Sequence, residues 1–277
     1  MSKVIPKIIH YCWFGGNPLP DEAIKCIRSW KKYFPDYEIK EWNEHNYKLD
    51  SCDYVREAYQ AKKWAFVSDY ARFDILYKYG GLYFDTDVEV IKPMDDIVEK
   101  GSFMGVESGW YESGSQQVLV APGLGIAAPA GLALYKEIID NYKNRHFYKK
   151  NGEKDTTTVV HTTTKILEKH GIQVKGNLAL CEDITIYPKE FFCPKDYNTG
   201  EVCITPNTRT IHHYSATWLS PAKKSALALQ CKLIQKYGMK KGGKLAEIII
   251  IPYKIADKFY TLGFYGALKY IFNKWYR

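Results

Sequence analysis

Between Trp64 and Tyr79 apolar residues fall at Phe66, Val67, Tyr70, Phe73, Ile75, Leu76 and Tyr79 with no breaker among them, which predicts a mostly buried helix. Gly80-Gly81 ends it, because glycine accepts the left-handed backbone that closes a helix. Leu82, Tyr83 and Phe84 then make a short apolar run of strand type that delivers Asp85, Thr86 and Asp87 at its C-terminal end. Upstream, Ile5, Ile8, Ile9, Tyr11 and Trp13 predict a strand that begins after Pro6 and turns at Phe14-Gly15-Gly16. Residues 20–33 form an amphipathic helix pattern. Ala23, Ile24, Ile27 and Trp30 point inward, and Asp21-Glu22 occupy the first turn, where the helix dipole favours acids. Residues 37–42 alternate as a second strand, so the chain opens as a βαβ unit with its two strands parallel.

Beyond the two aspartates, residues 88–91 lead through Lys92-Pro93 into a short helix. Strands are expected at 103–106 and 124–128, and helices at 132–142 and 163–170. The segment 147–155 is polar and basic and is expected to be mobile. The last quarter reads differently: a basic helix over 219–237, a Gly/Lys hinge over 240–244, and an apolar run over 248–251 closed by Pro252. After these, Phe259, Tyr260, Phe264, Tyr265, Tyr270, Phe272, Trp275 and Tyr276 are interleaved with lysines.

Composition sharpens this division. At 277 residues and 46% hydrophobic content, the chain can bury one large core, or one core plus an appendage. Of the net charge of +8, residues 219–277 supply 12 Lys and Arg against two acidic residues, an excess of +10, leaving 27 basic against 29 acidic before them. All the excess positive charge therefore lies in the tail. The tail contains no 18-residue apolar segment of the kind that spans a bilayer, and no groove-reading or base-stacking motif accompanies its charge, which argues against nucleic acid. Seven cysteines without Cys-x-x-Cys spacing argue against a disulfide framework and a zinc cluster. With Lys3 and Lys7 interrupting the only apolar start, no secretory signal is read, and the reducing cytosol is the expected compartment.

The candidate chemistry centres on the two aspartates. In a continuing strand, residues two apart share a face, so Asp85 and Asp87 would converge, and converging carboxylates repel unless a cation lies between them. The expected guest is Mg2+ or Mn2+, which prefers oxygen ligands and completes its shell from water and phosphate. Asp69 and Arg72 stand three apart on one helix face and either pair with each other or reach into the same cleft. The plainer alternative has the two aspartates capping a solvated turn and Asp69 paired structurally with Arg72. His212 and His213 are adjacent, so on a strand only one of them faces a cleft. Trp13 is equally at home in a core or against a ligand.

The run SDYARFDILYKYGGLYFDTDVEV, residues 68–90, closely resembles the sugar-binding Asp-x-Asp region of glycosyltransferase family 32, which includes bacterial capsular polysaccharide transferases and yeast mannosyltransferases. The glucosylating clostridial toxins carry a more distant version. The opening IPKIIHYCWFGG and the later IHHYSATW resemble the family's other two signatures, so the likeness spans about the first 220 residues. It implies a GT-A nucleotide-sugar transferase fold over residues 1–218, an open, mostly parallel α/β sheet with flanking helices and the donor at the strand C-termini. A basic, aromatic-rich helical extension over 219–277 follows.

The implied activity is a metal-dependent retaining hexosyltransferase. It would move a sugar from a nucleotide sugar, UDP-linked by family habit, to a polysaccharide or lipid-linked oligosaccharide acceptor. On the matching positions, Trp13 would stack on the nucleotide base, Ser68, Tyr83 and Thr86 would line the donor pocket, and Asp69 and Arg72 would hold donor-sugar hydroxyls. Asp87 would hold the metal, with Asp85 contributing directly or through ribose and water. His213 would complete the metal shell, Trp218 would donate its indole N–H to the diphosphate leaving oxygen, and His10 would be structural. The Gly/Ser/Tyr-rich segment 109–117 suits acceptor recognition. The threonines of 156–164 either cap a helix or meet sugar hydroxyls. The tail fits a helix at the headgroup level of an anionic inner membrane face, making the protein peripheral there, with ordinary packing on the catalytic domain as the alternative.

Two other classes compete. A metal-dependent phosphohydrolase would need a second set of carboxylates for its water nucleophile, and none is evident. A non-catalytic carbohydrate-binding protein would keep the aromatics without requiring Asp85 and Asp87.

Overall fold

A computed structural model describes residues 4–108, 118–217 and 219–275, the last three by backbone alone. The opening elements follow their patterning: β1 (Ile8–Cys12), α1 (Asp21–Tyr33) and β2 (Glu38–Trp42), with Ile8 of β1 in parallel register with Glu38 of β2. Next come α2 (Asp53–Gln60), α3 (Trp64–Tyr79), β3 (Gly81–Tyr83), β4 (Val88–Val90), α4 (Asp95–Val98), β5 (Phe103–Ser108), β6 (Leu119–Val120) and β7 (Ile126–Ala128). After α5 (Ala133–Lys143) and α6 (Val159–Lys169), a meander of β8 (Gln173–Lys175), β9 (Leu178–Cys181) and β10 (Ile184–Tyr187) leads to α7 (Lys189–Phe192) and β11 (Thr210–His212). Two long helical stretches, α8 (Pro221–Ile249) and α9 (Ile251–Trp275), follow.

Among the described residues the main sheet has nine strands in the order β2-β1-β3-β7-β5-β10-β9-β8, with β6 on β5. Strands β2, β1, β3, β5, β10 and β8 run one way and β7, β9 and β6 the other. The open, mostly one-way α/β sheet expected from the sequence is therefore present, with β7 set antiparallel in its middle. Both faces are covered. On one, Trp30 of α1 and Phe34 just after it pack on Tyr11 and Phe84. On the other, α3 and α5 join Cys12, Tyr83 and Ile126 in the largest core. Adjacent residues serve opposite faces because the strand period is two.

Helix α3 buries Val67, Tyr70, Ala71, Arg72, Phe73, Asp74, Ile75 and Leu76, which amounts to most of its circumference. It stops where Gly80 takes φ 66°. The structure departs from the sequence reading at several local points. Only residues 126–128 of the 124–128 run are strand, because Pro122–Leu124 close into a 3-10 turn. Helix α6 starts at Val159 rather than at 163, with the Thr158 hydroxyl accepting from His161 N–H as its cap. The segment expected to be mobile is tied down: Phe147 is fully buried, Glu57 accepts from the Phe147 and Tyr148 N–H groups, and Arg145 pairs with Asp155 at 2.8 Å.

By compactness the chain divides into two units, Met1–Pro194 with Cys203–His213, and Lys195–Val202 with Tyr214–Arg277. The second is helical. Its break falls at Gly238 (φ 77°), not in the Gly/Lys run 240–244, which is helical, and a further break lies at Gly263 (φ 69°). Pro252 closes nothing, since it sits in the first turn of α9, where a missing N–H costs no helical bond. Within this unit the loop 195–202 lies on α8, with Tyr197 C=O accepting from the Cys231 thiol and Thr199 C=O from Gln235. Among the described residues no helix is long and apolar enough to cross a membrane.

Candidate active site

Strands β1 and β3 are parallel neighbours, so Trp13 and Asp85 both follow strand C-termini on one edge of the sheet, where α/β proteins bind ligands. Asp85 and Asp87 do not lie on a continuing strand as the period-two argument supposed. The chain turns there, with Val88 N–H donating to Asp85 C=O at 3.0 Å, and β4 leaves the main sheet to pair with β11. The turn, not the pleat, brings the two carboxylates within electrostatic reach of each other.

Arg72 ties α3 to the aspartate turn. It is 4% exposed, and one Nη2 lies 3.1 Å from both Asp69 Oδ1 and Asp85 Oδ1, while Nε donates to Ser68 C=O at 3.2 Å. Tyr83 donates its hydroxyl to the same Asp85 oxygen at 3.2 Å, and its ring lies 5.1 Å beneath the guanidinium. The two alternatives for Asp69 and Arg72 thus merge, since the helix pair exists and its arginine also reaches the turn. Burial pushes the Asp69 carboxyl up to about 6 against the pull of Arg72. Burial likewise raises Asp85, with Arg72 opposing and the Asp87 charge adding to the rise. The other Asp85 oxygen presses on Gly123, where a Cβ would lie 2.0 Å from Oδ2. Only glycine fits there.

The adjacent histidines separate as strand geometry requires. His212 Nε2 lies 3.3 Å from Asp87 Oδ1, whereas His213 Nε2 lies 2.8 Å from Glu89 Oε2, and the His213 backbone N–H donates to the Asp87 carbonyl at 2.9 Å. Burial works against charge on His212, but Asp87 overrides it and holds the imidazole charged, up to about 10. His213, the ligand expected from the sequence, thus has its ring on Glu89, and the His212 ring stands beside the Asp87 carboxylate.

Trp13 is half-exposed, with its indole N–H on Asn17 C=O at 2.6 Å. Beside it Gly15 packs against Trp64, whose Nε1 would lie 2.6 Å from a Cβ there, and the Trp64 ring meets that of Tyr59 at 4.9 Å, tilted by 55°. Trp64, His212 and Gly123 are the neighbours of the site that sequence reasoning missed. His10 is structural: its Nε2–H donates to Gly80 C=O at 2.9 Å, its Nδ1 accepts from Trp42, and burial lowers it to about 4. Thr86 lies in the turn itself. Trp218 and the segment 109–117 lie outside the described residues.

Among the described residues no three His, Cys, Asp or Glu side chains converge as a closed metal shell. Two neighbouring carboxylates at a strand end are nonetheless a donor set for a hard cation that takes its remaining ligands from phosphate and water. Asp87, with Asp85, is the pair that would hold it.

Residues 20–104 match the family described as glycosyltransferase sugar-binding region containing DXD motif, and that stretch includes Asp69, Arg72, Asp85 and Asp87. The match covers 85 of the 277 residues, from just before α1 into β5. The open α/β sheet with the Asp-x-Asp turn at a strand C-terminus has the layout that the sequence resemblance led us to expect.

Two curated relatives come from Schizosaccharomyces pombe. Inositol phosphoceramide mannosyltransferase 3 is 33% identical over 101 residues, covering 35% of this chain and 28% of that protein. Inositol phosphoceramide mannosyltransferase 1 is 28% identical over 125 residues, covering 39% and 38%. The chain thus spans well under half the length of either. Among solved structures, PaToxG Glycosyltransferase aligns with TM-score 0.45 and 18% identity over 60% of this chain and 69% of that one. A glycosyltransferase involved in glycosylation of the major capsid of PBCV-1 aligns with TM-score 0.43 and 12% identity over 76% and 95%. At such scores neither likeness carries an argument about chemistry.

Proposed function

We propose that this protein is a metal-dependent retaining glycosyltransferase that moves a hexose from a nucleotide sugar, a UDP-sugar by preference, to a polysaccharide or lipid-linked oligosaccharide acceptor. The observation that carries the reading is the buried Arg72 guanidinium bridging Asp69 and Asp85 beside Asp87, inside a DXD sugar-binding region. Asp87, with Asp85, would hold Mn2+ or Mg2+, which as a Lewis acid neutralises charge building on the departing diphosphate. Arg72 and Asp69 meet hydroxyls of the donor sugar, and Tyr83, Ser68 and Thr86 border it. Trp13 offers a half-exposed indole face for the base, and Trp218 is the expected donor to the leaving oxygen.

The step we take is same-face attack, the course that the family resemblance implies. The bond from the anomeric carbon to the diphosphate oxygen breaks, the acceptor oxygen bonds to that carbon, and its proton passes to the leaving phosphate. The basic, aromatic tail supports peripheral attachment to an anionic inner membrane face, through Tyr253–Arg277.

A panel of nucleotide sugars assayed with and without Mn2+, a chelator and a saccharide acceptor tests the reading. We expect one donor to be consumed, metal to be required, and acceptor to accelerate turnover. Full activity in chelator removes the metal role. Equal sugar release with and without acceptor points instead to a phosphohydrolase, and binding without turnover to a carbohydrate-binding protein.

A further inference from the structure

The helical unit folds back on itself. Gly238 interrupts α8 at φ 77°, and Gly242 then lets the second half lie against the first, since a Cβ there would meet Leu233 C=O at 2.3 Å. The Ser220 hydroxyl, which caps α8, also donates to Asp257 of α9 at 2.5 Å and ties the two helices. Between the start of α8, the α8–α9 junction and the end of α9 lies a half-open groove of about 890 Å³. Its lining is mostly apolar and includes Ala226, Leu227, Ile250, Ile251, Ile255 and Ile271. Ala226 and Ile250 are buried, while Ile251 and Ile255 stay 47% and 40% exposed, so the groove's own walls leave apolar surface uncovered. Its size lies within the range of small-ligand pockets.

We propose that this groove receives the hydrocarbon chain of one anionic membrane phospholipid, held at the headgroup by the lysines at its rim. The proposal deepens the membrane-surface reading above and rests on it. It replaces adsorption alone with a stoichiometric lipid site.

Charge selects the occupant. Lys223, Lys254 and Lys258 border the groove, and Asp257, one of its two acids, is already engaged by Ser220. The segment 219–277 carries an excess of +10, so a second copy of the chain would bring like charge against like. An anionic lipid instead satisfies the apolar walls and the basic rim together. On the same helix Phe264 and Tyr265 are 64% and 87% exposed, the aromatic placement expected at a bilayer surface.

The full-length protein is titrated with monomeric lysophosphatidylglycerol, and separately with lysophosphatidylcholine, below micellar concentration, and complexes are counted by native mass spectrometry. We expect one lipid per chain and at least tenfold tighter binding of the anionic lipid. Ala226→Trp, which fills the groove floor, and Leu227→Gln, which makes its wall polar, should each weaken binding tenfold or more, with circular dichroism showing retained helix. The surface change Lys254→Glu should reduce the preference for the anionic headgroup at least threefold without touching the core.

No one-to-one complex, equal affinity for the two lipids, or unchanged binding in both groove variants overturns the proposal. So does a dimer at low micromolar concentration that competes with lipid, or an acidic protein fragment that displaces lipid from the groove. Flotation with anionic liposomes is measured alongside. Flotation without a one-to-one complex removes the groove site and leaves surface attachment standing. A complex without flotation removes surface attachment.

Discussion

The two compact units use aromatic residues in opposite ways. In the sheet unit the rings of Trp30 and Phe34 lie 5.5 and 6.2 Å from that of Phe84, and all three are almost completely buried. In the helical unit Tyr260, Phe264, Tyr265 and Phe272 stand mostly in the open among lysines. A sheet has two broad faces that helices must cover, so its aromatics are consumed in the fold. A helix keeps an outward stripe wherever no other element covers it. Apolar content alone therefore says little about stability. What counts is whether a covering layer exists.

The contrast can be broken by truncation on each side. Phe84→Ala removes a ring fully enclosed by Trp30, Phe34 and Gly125, and should cost about 3–5 kcal/mol in denaturant unfolding. Tyr265→Ala should change stability by no more than about 0.5 kcal/mol while reducing liposome flotation. Similar costs for the two would erase the distinction. Next in size, Asp87→Asn should lower kcat by roughly 100- to 1,000-fold, about 3–4 kcal/mol in the transition state, and leave flotation unchanged. Turnover at the wild-type rate would detach the chemistry from the DXD turn.

Gly123→Ala sharpens the comparison from within the sheet unit. The added methyl meets Asp85 Oδ2, and the resulting overpacking, worth about 1–3 kcal/mol, should appear mainly as a fall in kcat/KM of tenfold or more. Normal activity would mean that the glycine does not set the carboxylate's position.

The smallest expected effect is pH dependence. With Asp69 lifted by burial to about 6, its charge is lost below that pH, so kcat/KM should fall about tenfold between pH 7 and pH 5. Asp69→Asn should abolish that limb whatever its residual rate. Stability runs the other way for this group. A raised carboxyl pKa favours the fold fully below the unfolded value near 3.8 and loses that contribution as pH rises through about 6. Activity and Asp69's share of stability should therefore cross, and parallel changes would contradict the assignment.

Much of the sheet unit was legible because its signals are local. The period of the α3 run, the glycines after it and the apolar triplet before Asp85 each act over a few residues, and the helix and strand formed where they pointed. The β8-β9-β10 meander had no comparable signature, because its strands are three or four residues long and take their pairing from β5, far back in the chain. The break in α8 was misplaced for a related reason. The Gly/Lys run looked like a hinge, but Gly242 is held helical by contact with Leu233 and Ile234, and the chain yields at Gly238 instead.

The sequence by itself determined the order of helix, glycine stop, strand and aspartates, and with it the class of chemistry available at the strand end. Backbone propensity and side-chain period act between near neighbours and need no tertiary partner. Only the tertiary structure decided that Arg72 bridges Asp69 to Asp85, that the His212 ring stands beside the Asp87 carboxylate, and that Gly123 leaves room for the Asp85 carboxylate. These contacts join residues up to 125 positions apart, as from Asp87 to His212, and their distances follow from how whole layers pack.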